Sequence, residues 1–169
     1  MNVLEHLEPK SVFRFFEEMC AIPHGSRNTK AVSDWCADFA RARGLEYHQD
    51  GDNNIIIIKE AAPGYEAAPP VILQGHLDMV CEQTADCQKD MSREGLDLAV
   101  DGDFVYAKGT TLGGDDGIAV AMALALLDAE GLPHPRLEAV FTVDEEIGLL
   151  GAASIDVTPL KGRQMLNLD

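Results

Sequence analysis

Seven side chains of the types that bind divalent cations stand at the ends of apolar runs or glycine loops in this sequence. His76 and Asp78 stand in Gly75-His-Leu-Asp-Met-Val80, and Asp115 and Asp116 in Gly109-Thr-Thr-Leu-Gly-Gly-Asp-Asp-Gly117. Glu145 and Glu146 stand in Val143-Asp-Glu-Glu-Ile-Gly148, and Asp169 closes Arg163-Gln-Met-Leu-Asn-Leu-Asp169. Imidazole mixed with carboxylate suits zinc, cobalt or manganese better than calcium. Two such ions about 3.5 Å apart, sharing a carboxylate and a hydroxide, form a known hydrolytic arrangement. Each cluster alone has a plainer account. A strand-end histidine pairs with a nearby acid, an aspartate at a helix mouth caps it, and three successive acids form a solvated loop. One acidic cluster is explained by solvation. Four, each at the end of a strand or the mouth of a helix, favour a shared cation wherever the fold gathers those ends along one edge.

The elements that must position them follow from pattern. Val71-Ile-Leu-Gln74 is a continuous apolar run of the kind found in a central strand, and it empties into His76 and Asp78. Ligand sites in open α/β sheets gather at strand carboxyl ends. In an extended His-x-Asp the two side chains point to one side, so the carboxylate can brace the imidazole in one tautomer. The glycine loop from Gly109 leads into Ile118–Leu127, an apolar stretch free of charge. Such a helix is expected to be buried around most of its circumference, which would hold Asp115 and Asp116 rigidly. Leu137-Glu-Ala-Val-Phe-Thr142 is a strand ending at Glu145 and Glu146, and the final strand ends at Asp169.

The remaining chain supplies the scaffold. Val12, Phe13, Phe16, Met19 and Cys20 recur at helical spacing, and Ile22-Pro23-His24-Gly25 stops that helix. His24 reads as a structural or outer-shell histidine, with a ligand role as the alternative. A second amphipathic helix runs from Asn28 or Thr29 to Arg43 and is closed by Gly44. Leu45–Gln49 alternates like a strand with His48 outward, and Asn54–Lys59 is a strong β run. Residues 61–70 and 81–103 read as loops, with a turn at Asp101-Gly-Asp103 before Phe104–Lys108; Gly151-Ala-Ala-Ser154 reads as a helical turn. The alternation predicts an α/β fold with a mainly parallel or mixed central sheet and helices on both faces.

Composition narrows the function. The 169 residues suit one domain, and 29 acidic against 13 basic residues give a net charge of −16. That balance argues against nucleic acid and against anionic membranes. Cys20, Cys36, Cys81 and Cys87 form no CxxC pair and read as free, buried thiols of a reducing compartment. No secretory leader pattern opens the chain and no apolar run reaches membrane-spanning length, so a cytoplasmic location is expected.

Taken in order, Gly75-His-Leu-Asp-Met-Val80, Gly109–Ile118, Thr142-Val-Asp-Glu-Glu-Ile-Gly148 and Asn167-Leu-Asp169 resemble the successive motifs of the M20 family of zinc peptidases. Ile22-Pro-His24 and Thr110-Thr-Leu-Gly113 are similar to its aminoacyl-histidine (Xaa-His) dipeptidase branch. The resemblance implies two divalent ions in the full-length enzyme, zinc or else cobalt or manganese. Asp115 would bridge them, His76 and Asp169 would complete one, and Glu146 would bind the other. Glu145 would be the general base, with Asp78 supporting His76, and the Asp115–Asp116 peptide would be cis. That leaves Asp116, found where relatives often carry Asn, as the candidate cap of the helix. The family's chain continues through a lid or dimerisation domain and back into the catalytic domain. Residues 1–169 therefore read as the N-terminal part of the catalytic domain, binding one ion or none and inactive alone; the full-length protein would act on dipeptides and could pair through the lid. The alternatives are another M20 hydrolase, such as a tripeptidase or N-deacylase, and a non-catalytic metal-binding module.

Overall fold

The computed structural model describes residues 3–169; Met1 and Asn2, which begin the segment read as lacking a leader, lie outside them. In chain order the elements are α1 (Lys10–Cys20), α2 (Lys30–Ala42), β1 (Glu46–Gln49), β2 (Ile55–Lys59) and β3 (Val71–His76). There follow β4 (Leu98–Asp101), β5 (Phe104–Ala107), α3 (Gly114–Asp128), β6 (Leu137–Thr142), α4 (Leu150–Ser154) and β7 (Gln164–Asn167). Five strands form one sheet in the order β1-β2-β6-β3-β7, and β4 with β5 forms a separate hairpin. β1, β2 and β6 pair antiparallel, whereas β6, β3 and β7 run parallel, so the sheet is mixed. The parallel part is what gathers the site. Its register sets His76 against Thr142 and Gln74 against Asn167, so three carboxyl ends emerge on one edge.

Packing follows the two-residue alternation of the strands. Ile55 and Ile57 of β2, Leu73 of β3 and Ala139 and Phe141 of β6 meet Phe15, Phe16 and Met19 of α1, Val32, Cys36 and Phe39 of α2, and Val120 and Leu124 of α3 in one core. On the opposite face Ile56, Ile58 and Val140 form a smaller cluster with Ile72, Ile155 and Leu160. Both faces are covered, but unequally: the long helices share one side, and the chain leaving α4 lies on the other. β6, flanked by β2 and β3, is buried at every position.

Two local readings are corrected, and one holds. Leu98–Asp101, taken as part of a polar loop, is a strand, because pairing with β5 satisfies its backbone and buries Leu98. α3 is buried around most of its girth, as expected, and only Met122 and Leu126 between Gly117 and Leu127 are exposed. Cys20 and Cys36 are buried, but Cys81 is exposed; all four thiols are free. Among the described residues no helix is long and apolar enough to cross a membrane.

Candidate active site

β3 delivers His76 to the sheet edge, where it is 1% exposed. Its Nδ1 lies 2.9 Å from the main-chain carbonyl of Asp78 and 3.4 Å from Asp78 Oδ1. The nearer brace is thus the carbonyl, with the carboxylate behind it. A carbonyl can only accept, so Nδ1 carries the proton and Nε2 is left to face the acids. Nε2 lies 3.1 Å from Asp115 Oδ1 and 3.9 Å from Glu145 Oε2. Burial alone would lower the imidazole pKa, but hydrogen bonding and charge from Asp78, hydrogen bonding from Asp115 and the charge of Asp116 carry it up to about 9. The surroundings of this ring favour positive charge.

Asp115 and Asp116 enter through Gly113, whose φ of 66° is left-handed and whose missing side chain leaves room for Met79. A Cβ there would stand 2.8 Å from the Met79 sulfur. The Asp115–Asp116 peptide is cis, and both residues depart from helical φ/ψ, so regular helix begins only beyond them. Asp116 is not the cap expected from its position. Its Oδ2 accepts the main-chain N–H of His76 at 3.2 Å, and no side chain caps α3. Gly75 makes that approach possible, since a Cβ there would lie 2.7 Å from the same oxygen. Burial raises the Asp116 carboxyl to about 6; the charge and N–H of His76 oppose the rise, and the charges of Asp169 and Asp115 add to it.

Asp78 holds the next segment. Its Oδ1 accepts the N–H of Glu145 at 3.0 Å, and its Oδ2 accepts Ser26 Oγ at 2.8 Å and the N–H of Glu146 at 3.3 Å. Burial raises the Asp78 pKa, yet the His76 contact and these donors leave it below the ordinary value. The turn that carries Glu145 and Glu146 is also pinned from β2. Asn54, 1% exposed, accepts the N–H of Val143 and donates to Asp50 Oδ2 and to the Gly151 carbonyl. Glu146 has a raised carboxyl pKa, from burial first, eased by His76 and reinforced by Asp115, Glu145 and Asp78.

Three of the expected residues meet. One donor atom each from His76, Asp115 and Glu146 lies within 4.8 Å of the others. One imidazole and two carboxylates fit a zinc-like divalent ion. Asp169 stands outside that group and is exposed, two residues past Asn167. Asn167 pairs with Gln74, so continuing the register brings Asp169 level with His76, near enough for its charge to act on Asp116. His24 is buried with Nδ1 2.6 Å from the Ile22 carbonyl, a bond that locks the loop and leaves the ring outside the ligand group. Ser26 and Asn54 carry no sequence signal of their own, because their partners lie 52 and 89 residues away.

Comparison with known proteins agrees with this geometry. Over all 169 residues the chain is 36% identical to the cytosol non-specific dipeptidase of Escherichia coli (strain K12), of which it covers 35%. It matches the crystal structure of aminoacylhistidine dipeptidase from Vibrio alginolyticus with a TM-score of 0.93 at 36% identity, over 97% of this chain and 34% of that one. A tripeptidase from Staphylococcus aureus shares the fold at a TM-score of 0.76 and 22% identity, over 92% of this chain and 42% of that one. The chain thus spans about a third of the length of the first two relatives. The model of peptidase family M20/M25/M40 matches residues 72–163, the stretch that holds His76, Asp78, Asp115, Asp116, Glu145 and Glu146 and the strand ends that bring them together. With motif, fold and site coinciding over that stretch, the chain belongs to peptidase family M20/M25/M40.

Proposed function

We propose that this chain is the N-terminal part of the catalytic domain of a metal-dependent dipeptidase, with Xaa-His dipeptides as the substrate class. The observation that carries the reading is the meeting of His76, Asp115 and Glu146 within 4.8 Å, with Glu145 beside the same imidazole. In this reading Asp115, His76, Glu146 and Asp169 would hold two divalent ions, zinc by preference: Asp115 would serve both, His76 and Asp169 would complete one, and Glu146 would bind the other. When bound, the ions polarise the scissile carbonyl and make water a nucleophile near neutral pH. Glu145 would take a proton from the attacking water and return it to the leaving amine. Asp78 holds His76 with Nε2 facing the ligand group and keeps the Glu145 main chain in place.

The relatives' further length supports the assignment of residues 1–169 to one part of that domain. The rest would supply a lid and dimerisation domain and the ligands still wanting. Alone, this chain would hold one divalent ion weakly or none and would not turn over dipeptides. The relative named as cytosolic and the net charge of −16 support a cytoplasmic location.

The test is Glu145→Gln in the full-length protein. Hydrolysis of an Xaa-His dipeptide falls at least about 100-fold, as expected for loss of a general base, while zinc content stays at the parent level. Loss of zinc together with turnover would make Glu145 a ligand, and retained turnover would remove it from the reaction. A panel with tripeptides and N-acyl amino acids separates dipeptidase from the neighbouring activities.

A further inference from the structure

The loop between α1 and α2 touches both segments that carry the site, although neither helix does chemistry. Residues 24–26 run alongside the chain that leaves β3. Met79 N–H donates to the His24 carbonyl at 3.2 Å, Ser26 N–H donates to the Met79 carbonyl at 3.3 Å, and Gly25 bridges Met79 in parallel. Asn28 N–H closes the turn onto the Gly25 carbonyl at 2.8 Å. Arg27, with φ of 66°, donates its N–H to Asp144 Oδ1 at 2.6 Å. The loop is therefore fastened to the His76–Met79 segment on one side and to the Asp144–Glu146 turn on the other.

All of those fastenings use main-chain groups of the loop. The Ser26 hydroxyl is left over from them, and it goes to Asp78 Oδ2 at 2.8 Å. It is the one side-chain hydroxyl on a carboxylate that otherwise meets His76 Nδ1 and the N–H groups of Glu145 and Glu146. On Oδ2 the other donor, Glu146 N–H, is at 3.3 Å, so the serine supplies the shorter bond. A carboxylate turns about its Cβ–Cγ bond, and this one must keep Oδ1 toward His76 and Glu145 together.

We propose that Ser26 is a positioning residue for this site: its hydroxyl fixes the rotation of the Asp78 carboxylate, so that one group orients both the His76 imidazole and the Glu145–Glu146 main chain. The inference rests on the metallopeptidase reading above and adds a residue that the metal motifs do not contain. Because the loop's turn is closed by main-chain bonds, Ser26→Ala removes the hydroxyl and leaves those bonds in place.

The experiment uses the full-length protein, its Ser26→Ala, Ser26→Thr and His76→Ala variants, and Co²⁺ as the probe. Binding is followed by competition with a chelator and by the visible cobalt spectrum, and turnover by kcat and KM for an Xaa-His dipeptide. Ser26→Ala is expected to weaken Co²⁺ binding about tenfold, at the low end for disturbing the group that braces a ligand, since Asp78 would then hold His76 less firmly. It should also shift the cobalt bands and lower kcat with KM little changed, and Ser26→Thr should restore all three. Parent-like binding, spectrum and kcat in Ser26→Ala would overturn the inference and leave the peptidase reading standing. So would equal loss in Ser26→Ala and Ser26→Thr that tracks a fall in melting temperature, since that marks a merely structural serine. Equal Co²⁺ binding by the parent and His76→Ala would overturn the metal site itself, and the role of Ser26 with it.

Discussion

Asp78, two residues past β3, and Glu138, near the start of the neighbouring β6, are both carboxylates with side chains fully removed from solvent, at opposite ends of the parallel strands. Each is held by side-chain and main-chain donors, and each has its pKa lowered against the pull of burial. Glu138 takes Arg136 Nε at 2.7 Å and the N–H groups of Lys161 and Gly162, while Arg136 also reaches Glu60 and the Pro159 carbonyl. Charge and donors match there, and nothing is left to bind. Asp78 instead faces an imidazole whose other nitrogen looks onto Asp115 and Glu145, with Asp116 at its main chain. A structural pair closes on itself. The site gathers more negative charge than one histidine can answer.

The largest expected effect is at the structural end. Glu138→Ala leaves the Arg136 guanidinium buried with only Glu60 and a carbonyl, and breaking a buried pair this way costs about 3–5 kcal/mol. Urea unfolding measures it, and Co²⁺ binding by the folded remainder of the population should be unchanged.

The pH response separates the two ends next. His76 is raised from 6.5 to about 9, so the stability it contributes is complete below pH 6.5 and is lost as pH climbs through 9. For a shift of that size the loss is on the order of 3 kcal/mol. Glu138 is lowered, so its contribution is present above pH 4.5 and fades as pH falls through its folded value. Melting curves of the chain in chelator at pH 4, 6.5 and 9.5 should decline on both sides, and Glu138→Gln should flatten only the acid limb.

Asp78→Asn keeps the shape but puts an amide where Ser26, Glu145 and Glu146 all donate. It should cost about 1–3 kcal/mol of stability and lower Co²⁺ affinity in the full-length protein about 10–100-fold. The smallest effect is a control on the surface: Lys30→Ala removes an exposed pair with Asp34 and should change stability by less than about 0.5 kcal/mol.

Why some of this was legible in the sequence and some was not follows from where the signals lie. The run Val71–Gln74 and the apolar strand Leu137–Thr142 announce buried strands, and strand ends of a parallel pair must emerge together. That His76, Asp115 and Glu146 would meet follows from those runs and from the glycine loop. The order β1-β2-β6-β3-β7 joins strands far apart in the chain, which local pattern does not encode. Asp116 was read as a helix cap because caps are local, but its true partner is an N–H 40 residues away across Gly75. Ser26 and Asn54 act through bonds of the same long-range kind. Glu138 inside an apolar strand went unremarked for the same reason; of its partners only Arg136 lies nearby, two residues earlier.

Among the described residues β7 has one partner strand and is exposed at every position. β3 and β6, by contrast, sit inside the sheet with their carboxyl ends buried. Opening free energies within one protein range from near zero at exposed edges to the full global value in the core. Amide hydrogen exchange should therefore find β6 and the buried turns of α3 slowest and β7 among the fastest. In time as well as space, then, the sheet of residues 3–169 divides: β6 opens only with the whole fold, whereas a four-residue strand with a single partner there opens by itself.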